Sequence, residues 1–244
     1  KRAGRSPELP AGPRRYATVT RGLFITGTDT GVGKTRVGTL LIRELVGRDL
    51  RICARKPVES GCMRHGNALV PADALALRAA AGNREALDRV CAFPLEAPVS
   101  PTRAAALAGQ TLDLEQLIAV CRQNVGAEDF LVVEGAGGFL SPLTRDELNA
   151  DLARQLDLPV LLVTADRLGA VHQVLVAAEA IARRGLILAA VVLNQVDPAL
   201  DARLDNAAEL AHWLGRTIIA LPSQAGTGAL PQLAALAEKL ARNR

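Results

Sequence analysis

The stretch GTDTGVGKT, residues 27–35, follows the apolar run LFIT. Its glycines leave the backbone free to turn amide groups inward around an anion. A helix starting at Lys34 and Thr35 adds its positive end to the same place. The lysine supplies a mobile cation, and the threonine hydroxyl can ligate Mg²⁺. This is the G-x-x-x-x-G-K-[ST] spacing with Thr28 in the first slot and Gly27 one place earlier. It reads as a variant phosphate-binding loop. Thr28, Asp29, Gly31, Val32, Gly33, Lys34 and Thr35 are the expected nucleotide contacts. A plain Gly-rich connection is the bland alternative. The strand–turn–helix order favours the phosphate reading.

Other chemistry-bearing residues stand where apolar runs end. Glu134 follows FLVV, where a carboxylate can face phosphates and hold Mg²⁺ directly or through water. Asp73 in PADALAL opens a helix, and as an N-cap it needs no further purpose. Lys56 and Ser60 in RKPVESG could bind an anionic oxygen of a second substrate, or be a solvated strand end. Asn194 in NQVD offers a donor and an acceptor, enough for a purine edge. Asp197 is explained as well by turn preference before proline. His65, His172 and His212 do not cluster in sequence. Ser141 and Thr144 have no obvious base nearby, so a Ser/His/Asp arrangement is not supported.

Positioning such residues requires strands that all point the same way. The sequence alternates as expected: strands at 23–28, 51–57, 130–135, 159–165, 186–194 and 217–222. Helices are expected at 34–48, 73–81, 112–125, 147–157, 170–184, 205–215 and 230–243. Strands alternating with helices of this length predict an α/β fold, a doubly wound and mostly parallel sheet in one domain over 22–244. In such sheets ligands bind beyond the carboxyl ends of the strands, where these residues lie.

Composition sets bounds on function. The chain has 244 residues, 49% of them hydrophobic but only 2% aromatic. That suits helices packed on an aliphatic sheet and argues against nucleic-acid binding by base stacking. The net charge is +4, and residues 1–21 hold much of that excess, reading as a flexible basic extension without the apolar core of a secretory signal. The rest is nearly balanced, so no basic nucleic-acid patch is expected. The four cysteines show no C-x-x-C spacing and read as reduced thiols of a cytoplasmic protein. No run of about 18 apolar residues suggests a membrane span.

Taken in order, GTDTGVGKT, KPVESG, DALAL, PLEAPVSP, VEGAGG, RLGAVHQ and NQVD resemble the dethiobiotin synthetase family, from about residue 22 to 223. The resemblance implies a P-loop NTPase-type fold and an ATP- and Mg²⁺-dependent cyclo-ligase. Its substrates would be 7,8-diaminononanoate, CO₂ and ATP, and its route a carbamate and then a carbamic–phosphoric anhydride. By that resemblance Lys34 bridges phosphates and carbamate, and Thr30, Lys56 and Ser60 hold the carbamate. Thr35, Asp73 and Glu134 surround Mg²⁺, and Asn194 contacts the base. The amides of Gly169, Ala170, Val171 and His172 would bind the distal carboxylate across a homodimer interface. One departure stands out: some members carry Glu where this chain has Gly31. The alternatives are a MinD/ParA-like switch ATPase, which typically has an extra lysine early in the loop, and another amide-forming ligase of the same superfamily.

Overall fold

The computed structural model describes residues 21–197, 203–223 and 230–242. In chain order the elements are β1 (Gly22–Gly27), α1 (Lys34–Val46), β2 (Ile52–Arg55), β3 (Val58–Ser60), β4 (Met63–His65) and β5 (Ala68–Val70). Then come α2 (Ala72–Ala80), α3 (Leu87–Val90), β6 (Phe93–Leu95), α4 (Pro101–Leu107), α5 (Leu114–Arg122) and β7 (Phe130–Gly138). The chain continues through α6 (Asn149–Leu156), β8 (Val160–Ala165), α7 (Ala170–Arg183), β9 (Leu188–Asn194), α8 (Asn206–Leu214), β10 (Ile219–Leu221) and α9 (Pro231–Arg242).

Six strands form one sheet in the order β10-β9-β8-β1-β7-β2, and every adjacent pair is parallel. All six residues of β1 are buried, as expected of a central strand covered on both faces. Side chains alternate between those faces. Leu23 and Ile25 pack with Val37, Leu41, Ile42 and Leu45 of α1 and with Leu233 and Leu240 of α9. Phe24 faces the other way, into a core with Leu117, Leu152, Val174 and Leu210 from α5, α6, α7 and α8. The four apolar side chains of α1 are each worth roughly 1.5–3 kcal/mol on burial. That packing fixes the axis of α1, and so the positions of Lys34 and Thr35 at its start.

The predicted α/β alternation is present, with every expected strand and helix found within a few residues of its place. The difference lies between residues 57 and 107. There β3 pairs with β6 in parallel, β4 pairs with β5 as a short hairpin, and α3 and α4 are added. Strands of three residues are too short to show a period, and the pairing partner of β3 lies far along the chain. The expected flexible extension lies, apart from Arg21, outside the described residues. Among the described residues no helix is long and apolar enough to cross a membrane.

Candidate active site

The phosphate-binding loop leaves β1 and enters α1 through Gly33, which sits at φ 90° and ψ 30°. Only glycine is comfortable there, and a Cβ would also stand 2.0 Å from Nδ2 of Asn194. Gly33 gives α1 no side-chain cap, and the first turn carries no acidic residue. The first amides of α1 thus keep their capacity for an anion. Gly31 has φ 75°, and a Cβ there would meet nothing within 4 Å. The departure from the family pattern leaves open space at that point.

Lys34 is 7% exposed, and its Nζ donates to the Asp29 carbonyl at 2.9 Å. Burial, and then the charge of Lys56, push its pKa down to about 8 against the pull of Glu134, Asp73 and Asp29. A phosphate beside it would raise the pKa again and strengthen the charged form. The Thr35 hydroxyl donates to Glu134 Oε1 at 2.9 Å. Lys56 lies just beyond β2 and reaches the same oxygen at 2.5 Å and Asp73 Oδ2 at 3.1 Å. Burial disfavours the Lys56 charge, but the two carboxylates outweigh it and hold its pKa above the ordinary lysine value. In Asp73, burial is likewise outweighed by Lys56, with help from Thr35, so its pKa is lowered. The fold thus gathers Lys34, Thr35, Lys56, Asp73 and Glu134 from four separate segments of the chain.

Asp73 corrects the capping expectation. The helix starts at Ala72 after Pro71, and Asp73 gives it no cap; its carboxylate faces Lys56. Glu59 of β3 does the capping from outside. Its Oε1 accepts from Asp73 N–H at 3.0 Å and its Oε2 from Ala74 N–H at 2.9 Å. Burial raises the pKa of Glu59, and those two amides only partly offset it. Sequence reasoning missed Glu59, although it lies inside KPVESG; a cap supplied across the fold has no local spacing to betray it.

Lys34, Thr35, Lys56, Glu59 and Asp73 line a cleft of about 640 Å³, together with Thr30, Ser60, Pro98, Ser100, Gly137 and Ser141, and Glu134 lies fully buried behind them. That volume is within the range of small-molecule sites. Its far wall is the turn after Glu134. The buried Asn149 fixes that turn, accepting from Ala136 N–H at 2.9 Å and donating to the Ala136 and Ser141 carbonyls at 2.7 and 3.1 Å. Thr30 is turned by its own amide, which donates to Asp29 Oδ1 at 2.7 Å.

Other candidates lie outside the cleft. The Thr28 hydroxyl pairs with that of Thr164 at 2.9 Å. Asn194 is buried at the end of β9; its Nδ2 donates to the Val32 carbonyl at 2.9 Å and its Oδ1 accepts from Arg36. Gly169 precedes α7 with φ 91°. Ala170 N–H already donates to the Arg167 carbonyl at 3.0 Å, so one of the four amides expected to be free is spent in a turn. None of residues 169–172 lines the cleft of its own chain.

The fit to a divalent cation can be judged from donors. Among the described residues no three His, Cys, Asp or Glu side chains gather as a metal site. Two carboxylates and a hydroxyl do gather, and the buried Oε2 of Glu134 has no hydrogen-bond partner among the described residues. Hard oxygen donors, few in number and beside a phosphate loop, suit Mg²⁺, which keeps waters and borrows phosphate oxygens.

A family model described as an AAA domain matches residues 21–236. The ATP-dependent dethiobiotin synthetase BioD of Anaeromyxobacter dehalogenans (strain 2CP-C) is 43% identical over 202 residues, covering 82% of this chain and 89% of that relative. That of Ruthia magnifica subsp. Calyptogena magnifica is 44% identical over 178 residues, covering 73% and 81%. A solved ParA family ATPase from Chlorobium tepidum TLS superposes with a TM-score of 0.50 at 14% identity, covering 91% of both chains. That likeness is one of fold alone.

Proposed function

This chain belongs to the ATP-dependent dethiobiotin synthetase family, and on that premise we propose that it closes the ureido ring of dethiobiotin from 7,8-diaminononanoate, CO₂ and ATP. It is a ligase. The observation that carries the finer reading is the joining of Lys34 and Thr35 of the phosphate loop to Lys56 and Asp73 around one cleft, with the buried Glu134 held by Thr35 and Lys56 behind them.

One substrate amine adds to CO₂ to give a carbamate and a proton. A carbamate oxygen then attacks the γ-phosphorus and ADP leaves. The second amine attacks the resulting carbamic–phosphoric anhydride, phosphate leaves with its electron pair, and the ring closes. Thr30, Lys56 and Ser60 line the place for the carbamate, and Lys34 stands between it and the loop. Lysine charges aimed at the transferring phosphoryl group act by positioning and charge compensation, which is what phosphoryl transfer needs. Thr35, Asp73 and Glu134 would hold Mg²⁺, which when bound neutralises phosphate charge. Lys56 is then the counter-charge that pairs with both carboxylates.

Among the described residues the only cations lining the cleft are Lys34 and Lys56, which are engaged with the phosphates and the carbamate in this reading, so the distal carboxylate needs another partner. We assign that role to the start of α7 from a second copy of the chain, so the working form is a homodimer, and its place is the cytoplasm. The test is incorporation of labelled CO₂ coupled to ATP hydrolysis in the presence and absence of the diamine. Hydrolysis that ignores the diamine, or turnover in Lys34→Ala near that of the parent, overturns the reading. Losing one such charge typically costs about 100-fold or more.

A further inference from the structure

Arg36 carries a feature that the reaction does not use. It lies in the first turn of α1, one residue after Thr35. Its guanidinium turns away from the cleft. Nη1 donates to Asn194 Oδ1, and Nη2 donates to the Pro222 carbonyl at 2.6 Å and the Ser223 carbonyl at 3.1 Å. Three acceptors, from the ends of β9 and β10, therefore converge on one side chain.

The sheet order says what lies there. The cleft is on the β7 and β2 side of β1, lined from Lys56, Glu59, Ser60, Ala136 and Gly137. β8, β9 and β10 lie on the other side, and Asn194 presses against Gly33 and Val32 of the loop from there. With phosphates at Gly33–Thr35 and the second substrate in the cleft, the base of the nucleotide has the β9–β10 side left to it. Three acceptors grouped at that side complement an exocyclic amino group, the donor that distinguishes adenine from an unsubstituted purine. The other end of the Asn194 amide is already committed to Val32.

We propose that Arg36 is a specificity-determining residue for the nucleotide: its guanidinium fills the acceptor cluster of Asn194, Pro222 and Ser223 that would otherwise read the amino group of the base. The protein then recognises ATP through its phosphates and gains little from the adenine amine. This rests on the phosphate-loop reading above. An amine that does reach the cluster gains no new acceptor; it displaces a donor already in place. A net hydrogen bond is worth about 3- to 10-fold in affinity, and that is the selectivity Arg36 withholds.

The measurement is the KM for ATP and for purine riboside 5′-triphosphate, which differs from ATP only by the missing amino group. With the parent protein the two values agree within about twofold. In Arg36→Val the ratio rises to about 3–10 in favour of ATP. Arg36→Met, which keeps the stem packed along α1, covers the case that Arg36→Val does not fold. A parent protein that already prefers ATP by threefold or more, or a folded variant whose ratio does not move, overturns the proposal. If neither triphosphate supports turnover, the phosphate-loop reading itself has failed, and that result is distinct from either.

Discussion

Lys56→Met separates what the buried cation does for the fold from what it does for the reaction. The ammonium stands 2.5 Å from Glu134 Oε1, with side-chain exposures of 5% and 0%. At an effective dielectric of about 20, two unit charges about 3 Å apart attract by about 5 kcal/mol. Burying the two ions costs several kcal/mol each, so the intact pair contributes little net stability. Removing only the lysine is different, because Glu134 stays buried and loses its nearest cation. Breaking one end of a buried pair costs about 3–5 kcal/mol. Lys34 also attracts Glu134 and Asp73 is 42% exposed, so the lower half of that range is expected. For a chain of this size each kcal/mol lowers Tm by about 2–4 °C, so Lys56→Met should melt about 6–16 °C lower. Adding Glu134→Gln should recover much of the loss, because the stranded charge is gone. Differential scanning calorimetry without nucleotide measures both variants. A Lys56→Met melt within 2 °C or so of the parent, or strictly additive losses in the double variant, would refute the reasoning.

Glu59→Ala leaves the part-buried Asp73 amide and the buried Ala74 amide of α2 without their acceptors, so it should cost about 1–3 kcal/mol and raise the Mg²⁺ needed for half-maximal rate as Asp73 loosens; a magnesium titration and urea melts check both. Gly33→Ala must place a Cβ 2.0 Å from Asn194 Nδ2 at φ 90°, and should lose ATP binding by calorimetry even where the protein still folds. Gly169→Pro cannot hold φ 91°, so the KM for the diamine should rise with ATP binding little changed, and sedimentation should show the active form as a dimer. Burial raises the Cys53 thiol to about 11 and Cys91 and Cys121 to about 12, and it raises Cys62 as well. The thiolate is the reactive form and its fraction falls tenfold per pKa unit above the solution pH, so iodoacetamide at pH 8 should label the native chain hardly at all and the urea-unfolded chain at all four cysteines.

Periodicity was enough for the central sheet, because β1, β7, β8 and β9 are each apolar runs covered on both faces and the helices between them show one apolar stripe. The phosphate loop was legible for a local reason: glycines, lysine and threonine act within one turn of chain, so their spacing is the mechanism. Lys56, Asp73 and Glu134 were legible as candidates only. That one lysine holds both carboxylates follows from β2 lying beside β7 and from α2 starting where β3 leads, and such neighbours arise from pairing across 78 residues between Lys56 and Glu134. Asp73 shows the limit plainly. Sequence position makes it a natural cap for its own helix, but Glu59, fourteen residues earlier, satisfies those amides and frees the Asp73 carboxylate for Lys56. Arg36 beside the lysine–threonine pair looks like an ordinary helix-surface residue until β9 and β10 bring Asn194, Pro222 and Ser223 to it. Side-chain type and short spacing determine what chemistry is available; which groups meet is decided by long-range strand order, because a buried charge goes wherever the packed chain leaves it a partner.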